Sequence, residues 1–243
     1  MRRYTLRAVV ALSIPAAMFW AGTSADVAKP NTREPITFFD AKIRTAFDNR
    51  AKELGKSRPP TTLRGPNEHH RVTTCTDLLR RIKSGPPLEQ IEVDRVFSEY
   101  KICLVLGILE QAQAPRISYF DHQALGSDFL KKLNLATLRS SLYPRAPSPK
   151  DGFRFSDFTF SSVKASSHSL ELADEDWNYA VFALAAADFD RDGVEDLVVY
   201  FYDDSKSGTY FQLTTLILSR TTPNGWITAT EALRALAGTE TTR

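Results

Sequence analysis

Cysteine is scarce in this chain, with two residues in 243, Cys75 and Cys103. Two cysteines at that spacing fit no zinc motif and no dithiol redox motif. Glycine-rich phosphate loops are also missing, so no nucleotide cradle can be assigned. Outside the first 25 residues, no apolar run approaches the ~20 residues that a membrane-spanning helix needs. Charge of one sign is lacking too: 31 basic residues stand against 29 acidic ones. That balance gives no electrostatic reason to expect a nucleic-acid partner. There is no internal repeat and no low-complexity tract.

What is present begins at the N-terminus. Met1-Arg2-Arg3-Tyr4-Thr5-Leu6-Arg7 is basic with no acid, Ala8 to Gly22 is apolar, and Thr23-Ser24-Ala25 supplies small residues. Basic, apolar and small-residue zones in that order predict a secretory signal peptide over residues 1–25. A membrane anchor is the alternative, but the run is short for a bilayer and Pro15 interrupts it. Cleavage after Ala25 would remove three arginines and no acids, leaving 28 basic and 29 acidic residues and a net charge of −1. The expected location is the bacterial periplasm or the exterior. An isolated cysteine pair in an oxidising compartment predicts a Cys75–Cys103 disulfide, with two buried thiols as the alternative. A loop of that length would stabilise the fold by roughly 3–4 kcal/mol.

Residues 26–146 read as a helical region. Thr37 with Asp40 suggests a capping-box start, followed by Phe38, Ile43, Phe47 and Leu54 near helical spacing. Residues 56–72, which include His69-His70, read as a Pro- and Gly-rich loop. Thr74 with Asp77 suggests a second helix start, ending at Gly85-Pro86-Pro87. From Leu88 to Gln111, Val93, Val96, Phe97, Tyr100, Cys103, Leu104 and Ile108 form one stripe. Ile102, Val105, Leu106 and Leu109 add a second, which predicts a buried central helix. Ser127 to Leu142 is a weaker helical stretch.

Pro144, Pro147, Pro149 and Asp151-Gly152 mark a change of regime, and residues 147–243 read as an antiparallel β meander. The aromatic run Phe153, Phe155, Phe158 and Phe160 opens it. Tyr179–Ala187 and Leu197–Tyr202 are continuous apolar runs suited to central strands. Asp203 to Gly208 and Thr222-Pro223-Asn224-Gly225 read as turns. The fold class is therefore α+β: a helical front, stapled by a disulfide, joined to an antiparallel sheet.

Between the two central strands lies Asp188-Phe189-Asp190-Arg191-Asp192-Gly193-Val194-Glu195-Asp196. Calcium takes six to eight hard oxygens in a compact cage. Carboxylates at loop positions one, three and five (Asp188, Asp190, Asp192) point inward when the backbone wraps an ion. Gly193 allows the bend, the Val194 carbonyl would face the metal, and Asp196 would close the cage. Position twelve is Val199, so the bidentate glutamate of an EF-hand is absent and the flanks are strands. The alternative is an acidic surface turn, but four like charges within nine residues repel unless a cation neutralises them.

This segment resembles the loop of FG-GAP or VCBS-type repeats, whose pattern Asp-x-Asp-x-Asp-Gly-x-x-Asp-Leu follows a short apolar strand. The matching residues are Ala187-Asp188-Phe189-Asp190, Asp192-Gly193 and Asp196-Leu197. The resemblance implies calcium ligation by Asp188, Asp190, Asp192, the Val194 carbonyl and Asp196. It covers about a dozen residues of the chain. A propeller needs at least four blades, and a single loop does not make one. The arrangement is also similar to exported bacterial proteins with a cysteine-bearing helical front and one such loop near the end.

Other groups point less clearly to chemistry. His69-His70 has no ligand series nearby; His122 and His168 are isolated and read as hydrogen-bonded surface groups. Ser161-Ser162-Val163-Lys164 contains Ser-x-x-Lys without its partner motifs, and Gly126-Ser127 reads as a helix cap. Asp174-Glu175-Asp176 reads as a solvated turn able to approach the calcium loop, and Asp203-Asp204 invites the same reading. The expectation is a non-enzymatic exported protein with a structural calcium site, binding another envelope or extracellular protein. Two alternatives stand beside it: an exported hydrolase whose catalytic groups meet only in the fold, and an immunity or inhibitor protein for an exported enzyme.

Overall fold

The two long apolar runs form the centre of an antiparallel sheet in the computed structural model, which describes residues 35–64, 69–84, 90–91, 99–146 and 152–238. The expected leader, residues 1–25, lies outside the described residues, as do residues 92–98 of the expected central helix and 147–151 of the Pro-rich stretch. All described residues belong to one compact unit spanning Arg33–Arg243.

Strands β5 (Ser162–Ala165), β6 (Ser169–Ala173), β7 (Trp177–Ala187), β8 (Asp196–Ser205), β9 (Phe211–Ser219) and β10 (Thr228–Glu231) follow one another in sequence order as a meander. The sheet is open. A seventh strand, β1 (Thr37–Phe38), pairs antiparallel with Ala185 and Ala186 of β7. Along β8 the side chains alternate between two cores. Leu197, Val199 and Phe201 enter one, and Val198 and Tyr200 face the other. Both faces are covered there, which is why the strand reads as a continuous apolar run rather than an alternating one.

Strand β7 carries a bulge between Ala183 and Ala185. Before it, Tyr179, Val181 and Ala183 face one core; after it, Ala186 takes that face while Ala185 and Ala187 face the other. One extra residue inverts the alternation. The carbonyl of the bulged Leu184 accepts the N–H groups of Phe39 (2.9 Å) and Asp40 (3.2 Å), which docks β1 beside the start of the acidic loop.

Six helices are found among the described residues: α1 (Ala41–Asp48), α2 (Arg50–Gly55), α3 (Cys75–Ser84), α4 (Lys101–Leu109), α5 (Leu125–Lys132) and α6 (Ala232–Ala237). Helix α4 is buried from Cys103 to Leu109, and α3 and α6 pack beside it on the face that holds Val198 and Ile217. The opposite core is filled by α5 and by Leu133, Leu135, Leu142, Phe153 and Phe155. Cys75 and Cys103 are joined, both fully buried, and the bond staples α3 to α4.

The first half is less helical than its periodicity suggests. A three-stranded sheet, β2 (Thr61–Arg64) flanked by β3 (His69–Val72) and β4 (Gln90–Ile91), occupies part of the stretch expected as loop, and it takes in His69-His70. Gln90 and Ile91 pair with β2, so the central helix does not begin at Leu88. Asp40, not Thr37, caps α1: its carboxylate accepts the N–H groups of Lys42 and Ile43, while Thr37 lies in β1. Thr74 does cap α3, with its hydroxyl accepting Asp77 N–H at 3.1 Å. The run Ser127 to Leu142 is helical only to Lys132 and continues as short 3-10 turns. Phe155–Asp157 is likewise a 3-10 turn rather than strand; its aromatics are claimed by the core beneath the sheet. Helix α6 escaped the sequence reading because six residues are too few to display a period.

Candidate metal centre

The acidic loop leaves β7 at Ala187 and re-enters the sheet at Asp196, the two residues paired across the ladder. Its shape is written in its own aspartates. Asp188 accepts the N–H of Arg191 on one carboxylate oxygen (2.6 Å) and that of Gly193 on the other (2.9 Å). Asp190 accepts Asp192 N–H (3.1 Å), Asp192 accepts Val194 N–H (2.6 Å), and Asp196 reaches back to Phe189 N–H (3.1 Å). Short acidic side chains that bond backbone two to five residues onward curl the chain around them. Arg191 and Gly193 both take left-handed backbone conformations, with φ of 70° and 86°. Phe189 points the other way, into the core, and anchors the loop.

Carboxylate oxygens of Asp188, Asp190 and Asp196 lie within 4.8 Å of one another. Asp188 and Asp196 are buried while Asp190 is exposed, so the cluster opens to solvent on one side. Oxygens bound to one calcium ion at 2.3–2.6 Å can be up to about 5 Å apart. Three hard, anionic donors within that span could hold a single metal ion. Each oxygen retains a lone pair after accepting one N–H. Burial, first of all, pushes Asp196 up to about 7, with Asp190 and Asp192 adding repulsion against hydrogen bonds from Ser219 and Phe189. Asp190 is also raised, again chiefly by burial and then by its acidic neighbours. Repulsion among these carboxylates is a cost that a bound cation would relieve.

Of the five expected ligands, three converge. Asp192 touches Asp190 side chain to side chain and raises both Asp190 and Asp196, one of its oxygens accepts Val194 N–H, and it stands outside the mutually close triad. Val194 is held by that bond and by a parallel bridge to Ile117.

That bridge belongs to an element absent from the sequence reading. The segment 113–117 straps the outside of the loop. Gln113 and Asp188 exchange backbone bonds of 2.9 and 3.0 Å, the Gly193 carbonyl accepts Arg116 and Ile117 N–H, and Glu195 N–H donates to Ile117. The Arg116 guanidinium lies over Gly193 and donates to the Asp192 carbonyl at 3.2 Å; a Cβ at position 193 would sit 2.3 Å from it. Glycine is favoured there by its positive φ, and a side chain would also displace the Arg116 guanidinium.

Beside the loop the fold assembles a second polar group. Glu195, 5% exposed, accepts the Ser118 hydroxyl (2.5 Å) and contacts His122 Nε2 (2.8 Å) through the same oxygen. All three line a cavity of about 490 Å³ with Arg44 and Phe38. His122 is thus not isolated, and His168 stacks against Phe39, whose ring also meets His122 edge-on. Ser118 and Glu195 are 77 residues apart, and no local pattern announces either.

The remaining candidates resolve structurally. Asp174-Glu175-Asp176 precedes β7 and the acidic loop follows it, so a strand of 11 residues, about 35 Å, separates them. Asp203 is fully buried rather than solvated. It accepts Ser141 N–H (2.7 Å), Ser141 hydroxyl (2.8 Å) and Ser140 hydroxyl (3.3 Å). Ser162–Lys164 lies in β5, whose residues are all exposed. Gly126 sits inside the first turn of α5, where it lets the helix approach the backbone of Ser166 and Ser169; it is not a cap.

Comparison with family models, curated proteins and solved structures finds no match to this chain. Among the described residues no helix is long and apolar enough to cross a membrane.

Proposed function

We propose that Asp188–Asp196 is a structural calcium site of the FG-GAP or VCBS-loop type in an exported, non-enzymatic protein. The observation that carries this reading is the convergence of the Asp188, Asp190 and Asp196 oxygens within 4.8 Å, two of the three residues buried. Asp192 and the Val194 carbonyl would add further oxygens once an ion draws them in. Calcium supplies charge neutralisation and nothing else here: the chain's own residues close β7 onto β8 and hold the 113–117 strap. The stapled Cys75–Cys103 pair is in keeping with an oxidising compartment. A fold stabilised by disulfide and calcium suits a module that binds another envelope or extracellular protein.

Calorimetric titration of calcium into the purified protein tests the site. The expected affinity is that of extracellular modules, ~10⁻⁴–10⁻³ M, with heats abolished in Asp190→Ala. Equal heats in the two proteins would end the calcium reading.

One observation favours a second reading, an exported hydrolase: Ser118, His122 and Glu195 meet in a cavity. Acyl transfer by a triad places the imidazole between hydroxyl and carboxylate. Here hydroxyl and imidazole both address one oxygen of Glu195, an arrangement that ties the strap to the loop. Turnover in an ester and peptide hydrolysis screen, abolished by Ser118→Ala, would establish the hydrolase instead.

A further inference from the structure

We propose that the cavity lined by β1, the segment 115–122 and Glu195 binds a primary ammonium group on a short aliphatic stem, with Glu195 as its counter-ion. The cavity, about 490 Å³, shares no residue with the aspartate triad and has a size ordinary for small-ligand pockets. Glu195 is 5% exposed, and one oxygen of its carboxylate takes both side-chain bonds. The Ser118 hydroxyl and His122 Nε2 meet the same atom, Oε2. Among the described residues no hydrogen-bond donor reaches the other oxygen, Oε1. Nor is Oε1 sealed inside the core, so a ligand can approach it.

The carboxylate is also held in place. Glu195 N–H donates to the Ile117 carbonyl at 2.8 Å, and Ser118 grips the side chain at 2.5 Å. A group already oriented and largely stripped of water loses little on receiving a donor. The stronger bond to it comes from a charged donor. Ile36, Phe38, Pro115 and Phe120 give the cavity apolar walls. Methylene groups pack against such walls while the ammonium head meets Oε1, the division that long cationic side chains make between stem and head.

A carboxylate ligand drawn to Arg44 is the competitor. Arg44 also lines the cavity, but it is exposed and lies 5.8 Å over the Phe38 ring. Water screens an exposed charge far more than a buried one. An anion at Arg44 would share the cavity with the buried Glu195 carboxylate, and Asp196 follows it in the chain. The buried charge sets the preference. Two sources carry the chemistry it selects: a free alkylamine and a lysine side chain of a partner protein.

The test is an NMR titration of the labelled protein in calcium-free buffer, so that the result is independent of metal in the loop. The probes are n-butylamine, Nα-acetyl-lysine methylamide, n-butanol and butyrate. Both amines are expected to shift the amide signals of Ser118, His122 and Glu195, while butanol and butyrate leave them in place. Tighter binding of the lysine derivative assigns a partner protein; equal or tighter binding of butylamine assigns a free amine. Glu195→Gln, which keeps an acceptor for Ser118, should weaken both amines about tenfold or more. Arg44→Ala, at an exposed residue, should leave their affinity unchanged or raise it. No shift with either amine, butanol or butyrate binding as tightly, or unchanged amine affinity in Glu195→Gln would each overturn the proposal. Loss of amine binding in Arg44→Ala would overturn it as well.

Discussion

Strand β8 buries an aspartate near each end, Asp196 at 3% and Asp203 at 0% exposure, and the surroundings differ in kind. Asp203 meets neutral donors: a backbone N–H and two serine hydroxyls, with the Arg145 charge nearby. Asp196 meets one backbone N–H, the Ser219 side chain and the charges of Asp190 and Asp192. Burial raises both carboxyls above their ordinary range. At Asp203 donors and a nearby guanidinium oppose the cost of burial; at Asp196 the hydrogen bonds from Ser219 and Phe189 are set against repulsion from Asp190 and Asp192. A buried acid wrapped in donors is a structural rivet, and a buried acid set among acids belongs to a cluster that could hold a metal ion.

The sharpest way to probe that contrast is pH. Without calcium, Asp196 binds a proton more tightly folded than unfolded. Its contribution is fully present below pH ~4 and is lost as pH rises through about 7. Denaturant unfolding in chelator should therefore show stability falling over that window, on the order of a few kcal/mol at most. The fall should flatten in Asp196→Asn and in saturating calcium. A flat profile in chelator would remove the distinction between the two ends.

Asp203→Ala should cost about 2–4 kcal/mol, because Ser141 N–H and the Ser140 hydroxyl lose their acceptor and the Ser141 hydroxyl keeps only Tyr179. The loss should be the same with calcium or chelator when followed by urea unfolding. Gly193→Ala comes next, at about 1–3 kcal/mol, from the positive φ and from displacement of Arg116. It should weaken calcium binding as well, read from the calcium-induced shift in melting temperature. Smallest is the calcium effect itself. At about 1 mM calcium and typical extracellular affinities it is worth roughly 0.4–1.4 kcal/mol by mass action, and Asp190→Ala should erase it.

The two ends also differ in how far they could be read beforehand. Four aspartates and a glycine in register announced the loop because its wrapping bonds run between residues two to seven positions apart. The strands beside it were equally plain, being apolar on both faces. Asp203 looked like part of a polar turn, since its partners Ser140 and Ser141 lie more than sixty residues away. The 113–117 strap was invisible for the same reason: it has no period of its own and exists only as backbone bonds to the loop. His122 passed for a surface group because Glu195 is 73 residues distant. The small sheet β2–β3–β4 was hidden by strands of two to four residues, too short to set a pattern against Pro, Gly and charge.

By itself, then, the sequence determined the meander, the expectation that Cys75 pairs with Cys103, and the acidic loop. Each rests on local spacing or on a pair with no rival. Tertiary structure alone decided that the loop is strapped from outside, that a bulge at Leu184 turns β7 to present Asp188 beside β1, and that one buried aspartate is surrounded by donors while the other also faces two aspartates. Those outcomes depend on which distant donors the folded chain brings to each carboxylate, and burial makes their presence or absence energetically decisive.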